Sequence, residues 1–303
     1  MDLSIVIVNW NTRTLLAQCL ESVYAHPPDG EFEVIVVDNG STDASVSMMR
    51  EHFSQVRLMV NTKNVGFVRA NNQAFQECRG RYVMLLNSDT IVQPKALTRM
   101  IKFLDENPCA GIVGAWVQNP DGTPQRCYGN FPTIFSESAY AWGLDSRLSK
   151  WFVRRSSLLQ DAQQTDWVLG AALMIRRDIL NQVGHLDEEY FMYSEEIDLC
   201  YRVKQKGWTN YVLGTAHIIH LGGQSSQQIP APMKAELFRS KVKYFRKHHG
   251  LGVSLLMFLI FATSILARRL LYRLQGQTQR SNVWAEVWKY FVNQERQSYF
   301  VPA

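Results

Sequence analysis

Tyr82-Val83-Met84-Leu85-Leu86-Asn87-Ser88-Asp89-Thr90 is the stretch from which the fold can be read. An apolar run stops at small polar residues that end in one carboxylate. That pattern is a buried strand whose C-terminal end emerges into a cleft. In open α/β sheets, ligands bind beyond the carboxyl ends of the strands. Asp89 placed there can hold a hard cation, which in turn holds phosphate oxygens. It can equally cap the helix that Pro94 begins, or close a turn. On this stretch alone both readings stand.

The segments on either side repeat the pattern. Leu3 to Asn9 and Phe32 to Val37 are continuous apolar runs, as expected of strands buried on both faces. Val56 to Val60 and Ile112 to Val117 are further strands. Helical spacing lies between them: Leu16, Leu20 and Val23 after an Asn11-Thr12 cap, then Val46, Met49 and Phe53, then Phe67, Ala70 and Ala74, then Leu97, Ile101 and Leu104. Alternating strands and helices predict an α/β fold with a mainly parallel sheet covered by helices. Phe131 to Thr165 has poor periodicity and carries Trp142, Trp151, Arg154 and Arg155, as binding loops and lids do. Trp167 to Ile175 is a strand, Tyr211 to Leu213 a short one, and Ser194 with Ile197, Cys200 and Tyr201 marks a capped helix.

Composition narrows the class. At 303 residues the chain is one large domain or a domain with an appendage. Five cysteines without pair or metal spacing suggest a reducing compartment, and Cys19, Cys78 and Cys200 sit on apolar helix faces as small hydrophobes. The apolar start is too short for a signal peptide and lacks a basic leader, so it is a first strand. The turn Asn9-Trp10-Asn11-Thr12 has no glycine, which excludes a GxGxxG loop there, and no GxxxxGK[ST] run occurs.

Several residues could carry chemistry. Asp38 follows a strand as Asp89 does, so both belong to one sheet edge; it can accept the imide N–H of a pyrimidine or cap a helix. Asn64, Gly66, Asn71 and Asn72 place short polar groups around a helix start, the chemistry of turns and caps as well as of ligands. Glu195, Glu196 and Asp198 share a first helical turn, where the dipole favours carboxylates. One of them, partly desolvated, can serve as a general base; an exposed acidic turn is the plainer alternative. His220, before two glycines, is a metal ligand or a structural histidine.

Taken in order, Ser4 to Asn11, Val36 to Asp43, Asn64-Val65-Gly66-Phe67, Leu85 to Thr90 and Phe191 to Cys200 resemble the family 2 inverting glycosyltransferases of GT-A fold, most of all their bacterial rhamnosyltransferase-like branch. The likeness spans roughly residues 1–250. It implies a catalytic domain over 1–230, with a nucleotide-sugar half (1–118) and an acceptor and base half (119–230). Val8 and Trp10, with Asn9 between them, correspond to the base pocket, and Asp38 to the carboxylate that reads the pyrimidine. Asn87-Ser88-Asp89 stands at the DxD-type motif. Asp89 would then ligate a divalent cation, Mg or Mn, on the donor diphosphate, and Asn87 replaces the first acid. His220 would be a second ligand. Glu196 falls where the family places the aspartate of a Glu-Asp pair as base, with Asp198 as the alternative. The implied activity is transfer of one sugar, rhamnose-like, from a dTDP- or UDP-linked donor to a lipid-linked or polysaccharide acceptor in cell-envelope glycan synthesis. The rivals are a processive polysaccharide synthase, whose Gln-x-x-Arg-Trp motif is matched only as far as Gln277-Thr278-Gln279-Arg280-Ser281, and a catalytically silent assembly partner.

Residues 231–303 form a helical tail. Lys234, Arg239, Lys241, Lys243, Arg246 and Lys247 precede the uncharged run Leu251 to Ala267, and Arg268, Arg269 and Arg273 follow it. That run is near the lower limit for a bilayer span, for which about 20 residues are usual. A short anchor, an in-plane interfacial helix and a hydrophobic hairpin docked on the catalytic domain are the three forms it could take. The apolar insert favours an anionic membrane over nucleic acid as the partner of the basic residues, which places the chain at the cytoplasmic face of the membrane.

Overall fold

A computed structural model describes residues 1–144, 161–224 and 228–293. Trp151, Arg154 and Arg155 of the proposed binding loop lie outside the described residues. The chain folds as two compact units. The first is drawn from Met1–Phe131, Trp151–Glu188 and Glu195–Ser225, the second from Pro132–Lys150, Glu189–Ser194 and Ser226–Ala303.

The first unit alternates as expected: β1 (Leu3–Asn9), α1 (Arg13–Ala25), β2 (Phe32–Asp38), α2 (Ser45–His52), β3 (Arg57–Val60), α3 (Phe67–Phe75) and β4 (Tyr82–Leu86). A short β5 (Thr90–Val92), α4 (Ala96–Glu106) and β6 (Ala110–Gln118) follow. The nine-stranded sheet has the order β3-β2-β1-β4-β10-β6-β11-β5, with β8 (Ala162–Thr165) beside β11; here β10 is Ala172–Arg176 and β11 is Thr209–His220. β3, β2, β1 and β4 are parallel, as are β6 and β11. β10 runs against β4 and β6, and β5 and β8 run against β11. The central strands carry the core: Leu3, Ile5, Val6, Ile7, Val83, Met84, Leu173, Met174 and Ile175 are wholly buried. A strand covered on both faces has no polar face to show, hence the unbroken apolar runs.

Two strands differ from the sequence reading, and both differences shape the site. Trp167 to Ile175 is not one strand. It divides into β9 (Trp167–Val168), which pairs with β7 (Tyr128–Gly129), and β10, with Leu169-Gly170-Ala171 turning between them. The small residues in its middle make the turn. Tyr211 to Leu213 lies in the first half of the twelve-residue β11, which carries on through a register shift between Leu213 and His217. His220 is therefore the last residue of a strand, paired with Thr90 of β5. Two further helices complete the unit, α6 (Arg177–Val183) and α7 (Glu195–Gln205). Cys19, Cys78 and Cys200 are buried, and burial pushes each thiol up to about 12, which suits small core hydrophobes.

The second unit is helical: α5 (Ile134–Ala141), α8 (Pro230–His249), α9 (Leu251–Leu274) and α10 (Thr278–Val292). Within the stretch of poor periodicity, Thr133 opens α5 with a capping box to Ser136. Phe238 of α8 lies 4.9 Å from Phe261 and 6.3 Å from Phe291, and Phe258 stacks on Phe291 at 5.0 Å. Met257, Phe261 and Ile265 turn α9 inward, while Leu251, Leu255, Leu259, Leu270 and Leu274 are exposed. α9 continues past the uncharged run through Arg268, Arg269 and Arg273 without a break. By length and composition it is long and apolar enough to cross a membrane.

Candidate active site

The parallel strands of the first unit end along one edge, and a polar seam joins three of those ends. Asn9 pairs in register with Asp38. The Asn9 side-chain N–H donates to Asp38 Oδ2 at 2.9 Å and to Ser41 Oγ at 3.1 Å. Asp38 Oδ1 accepts the Ser41 N–H at 2.9 Å. Thr12 does not cap α1 with its side chain; its hydroxyl donates to Asn9 Oδ1 at 2.7 Å and lies 3.0 Å from Ser88 Oγ. The seam thus runs from β2 through β1 to the end of β4. Asn9, Asp38 and Ser88 are buried in it, while Val8 and Trp10 are partly exposed.

Beside the seam, Asn39 ties two loops together. It donates to Asn64 Oδ1 at 2.9 Å and accepts the Val65 N–H at 3.0 Å. Asn64 Oδ1 also accepts the Gly66 N–H, and Gly66 stands at φ +95°, the entry to α3. Gly40 is at φ +79° with Lys63 backbone 2.7 Å from where a Cβ would be, so only glycine fits. Asn72 turns away to hold Leu186 through both its N–H and its C=O, and Asn71 donates to Phe67 O within α3. Both asparagines are structural here.

Asp89 and His220 meet. β5 pairs with the end of β11, which brings Asp89 Oδ1 to 3.2 Å from His220 Nε2, both residues under a tenth exposed. Burial pushes the Asp89 carboxyl up, but the hydrogen bond and charge of His220 and the Gln224 N–H outweigh it, and the group sits below the usual carboxylate range. The other ring nitrogen, His220 Nδ1, is 3.0 Å from Gln125 Oε1. The Gln125 amide N–H donates to His220 O at 2.6 Å and to Asn119 Oδ1 at 2.7 Å, which fixes its orientation. With Nδ1 held as donor to Gln125, Nε2 is the nitrogen that faces Asp89, and a neutral ring would turn its Nε2 lone pair to a cation bound there. A carboxylate and an oriented imidazole, converging and shielded from bulk water, fit a divalent cation. Among the described residues no third His, Cys, Asp or Glu joins them; the remaining positions suit diphosphate and water oxygens.

α7 brings the second acidic focus. Asp198 is fully buried and accepts Arg202 Nε at 2.8 Å; Arg202 also donates to Val183 O, Gly184 O and His185 O. Arg202, paired with Asp198 on the same helix, therefore pins α7 to the end of α6. Glu196, in contrast, is partly exposed. Its Cβ lies 3.4 Å from where a Cβ on Gly170 would be. Antiparallel β10 starts at the edge where β4 ends, with Ala172 opposite Leu86, and Asn87 N–H donates to Ala171 O at 3.0 Å. The turn that breaks Trp167 to Ile175 is thus bonded to the Asn87-Ser88-Asp89 loop on one side and packed on Glu196 on the other.

A family model described as glycosyl transferase family 2 matches residues 4–184. The chain belongs to that family. It is 26% identical over 233 residues to the N-acetylglucosaminyl-diphospho-decaprenol L-rhamnosyltransferase of Mycobacterium tuberculosis, covering 72% of this chain and 75% of that one. It is 24% identical over 224 residues to the rhamnosyltransferase WbbL of Escherichia coli K12, covering 71% and 82%. Among solved structures, the mannosyltransferase PcManGT from Pyrobaculum calidifontis, in complex with GDP-Man and Mn2+, superposes with a TM-score of 0.60 over 97% of this chain and 88% of that one. At 15% identity that likeness is one of fold, the GT-A fold.

In this family 2 glycosyltransferase, Asn9, Asp38, Ser88, Asp89 and His220 lie along one sheet edge, and Glu196 is linked to it through Gly170. Sequence reasoning missed Gln125 and Asn39 as organisers and Gly170 as the contact to Glu196. Asn39 and Gly40 lie inside a stretch already singled out. Gln125 follows the turn Asn119-Pro120-Asp121-Gly122 and carries no local signal, because its partner His220 is 95 residues away.

Proposed function

We propose that this chain is an inverting glycosyltransferase that moves one sugar, rhamnose-like, from a dTDP- or UDP-linked donor to a hydroxyl of a lipid-linked or polysaccharide acceptor in cell-surface glycan synthesis. The observation that carries it is the buried Asp89–His220 pair at the strand ends, bonded through Asn87 and Ala171 to the turn that packs on Glu196. The rhamnosyltransferase relatives, one acting by its name on a decaprenol-linked diphosphate, support the sugar and the acceptor class.

Val8 and Trp10 would flank the base. Asp38 would read its imide N–H with a second lone pair, since both its oxygens already accept hydrogen bonds within the protein. Asp89 and His220 would hold the divalent cation, Mg or Mn, which when bound neutralises charge on the donor diphosphate. Glu196 takes the proton of the acceptor hydroxyl as that oxygen bonds to C1 of the sugar. The bond from C1 to the phosphate oxygen breaks in the same step, its electron pair leaves with the nucleoside diphosphate, and the anomeric centre inverts. Asp198, spent on Arg202, is left a positioning role. The exposed leucines of α9 and the arginines at its end support attachment to the anionic cytoplasmic leaflet.

Calorimetry against dTDP- and UDP-sugars with and without Mg²⁺ or Mn²⁺ tests the site. One nucleotide class is expected to bind only with the cation, and Asp89→Ala to abolish that binding. Equal affinity without cation, or in Asp89→Ala, overturns the assignment.

A further inference from the structure

The helical unit contains a cavity of about 410 Å³ that is lined by its own residues alone. That is the size of a small-molecule site. Two cations converge on one ring in it. The Lys234 ammonium and the Arg268 guanidinium each lie 4.9 Å from the centre of the Trp284 indole. Three other cations of α8 have carboxylates: Lys241 pairs with Glu137, Lys243 with Glu236 and Arg246 with Glu189. Lys234 and Arg268 have no such partner among the described residues. Desolvation, then the charge of Arg268, hold the Lys234 ammonium below its usual range. Two like charges that line one cavity and share one aromatic ring are a site with its counter-charge still to come.

The rest of the wall is mainly apolar, with the rings of Tyr140 and Tyr193 beside Pro230 and Gly143. Met233 and Phe238 are buried there and Leu237 is partly so. The rim is apolar and open: Trp142 and Leu144, on either side of cavity-lining Gly143, are 50% and 66% exposed, and Leu271, one turn beyond Arg268, is 51% exposed. An exposed Lys234 and a half-buried Arg268 beside buried apolar side chains and exposed apolar neighbours suit a molecule that is anionic at one end and aliphatic at the other.

We propose that this cavity binds the phosphate of an anionic lipid between Lys234 and Arg268, with the first methylene groups of the lipid against Met233, Leu237 and Phe238. It is a ligand site of the helical unit, separate in its residues from the sugar-transfer residues, and it gives the helical unit a headgroup contact in addition to the exposed leucines of α9.

Dihexanoyl phosphatidic acid, used below its micellar concentration, tests this by calorimetry on the full chain, with inorganic phosphate and dihexanoyl phosphatidylcholine as separate arms. Saturable one-to-one binding of the acidic lipid is expected. Lys234→Gln with Arg268→Gln should weaken it at least tenfold, as loss of charge-assisted hydrogen bonds does. Arg269→Gln with Arg273→Gln removes the same charge from positions that do not line the cavity and should change it less than twofold. Circular dichroism verifies that both variants fold, and Lys234→Arg keeps the charge and should retain binding. Equal loss in the two double variants reduces the effect to net charge and overturns the proposal. Inorganic phosphate binding as tightly as the lipid, or phosphatidylcholine binding equally well, overturns it too. Because no arm reads sugar transfer, failure here leaves the proposed activity standing.

Discussion

Asp198 and Glu196 are two residues apart on α7, and the structure gives them opposite roles that substitution separates. Asp198→Ala removes the carboxylate from a pair in which Asp198 is fully buried and the Arg202 side chain is 16% exposed. Breaking such a pair costs roughly 3–5 kcal/mol, because it leaves a charge without its partner. Arg202 keeps Val183 O, Gly184 O and His185 O as acceptors, so the cost belongs near the lower limit, about 3 kcal/mol. At about 2–4 °C per kcal/mol for a protein of this size, the melting temperature should fall by roughly 6–12 °C. Sugar transfer per folded molecule, assayed well below that melting point, should stay within about tenfold of wild type, less than the 10²–10⁴ that a general base typically supplies. Glu196→Gln should do the reverse. It is partly exposed and nearly isosteric, so its melting temperature should move by no more than about 2 °C, while turnover falls by about 10²–10⁴. Calorimetric melting and initial rates on the same preparations decide it. An Asp198→Asn protein that melts like wild type and has lost its turnover would make Asp198 the base and refute the reasoning.

Three further outcomes follow from the same geometry. Gln125→Met removes the acceptor that orients His220, and should weaken cation-dependent nucleotide binding about 10–100-fold; calorimetric titration in Mn²⁺ on both proteins reads the difference. Gly170→Leu puts a branched side chain against Glu196 and should lower turnover while leaving nucleotide affinity near wild type. Asp89 is held below the ordinary carboxylate range, so its contribution to stability is present above the unfolded value, about 3.9, and is lost as pH falls through the lower folded value. Asp89→Asn should therefore show a flatter loss of stability than wild type in acid unfolding followed by circular dichroism.

What was legible in the sequence was what short-range physics writes there. Strands covered on both faces must be apolar throughout, so β1, β2 and β4 announced themselves, and the polar residues that end them marked the edge where ligands go. The orientation of β10 was not legible, since a run of apolar residues reads the same in either direction. Neither was the break at Gly170, because only its neighbours in space, Glu196 and the Asn87 loop, explain why the strand must turn there. His220 looked like a loop residue because Gly214-Thr215-Ala216 interrupt the β pattern, while the register shift carries the strand through them. The Asp89–His220 contact rests on β5, three residues long and too short to stand out by periodicity. The acidic turn on α7 showed three candidate carboxylates, and only the placement of Arg202 separates the buried ion pair from the partly exposed Glu196.

A single in-line displacement assisted by Glu196 leaves its record in the stereochemistry of the product. The anomeric configuration of the product, read by NMR from the coupling and the chemical shift at C1 after transfer from the nucleotide sugar that calorimetry selects, tests it most directly. The expected product is inverted relative to the donor, formed by wild type and about 10²–10⁴-fold more slowly by Glu196→Gln. A product of retained configuration, or the same product formed at wild-type rate by Glu196→Gln, would contradict it.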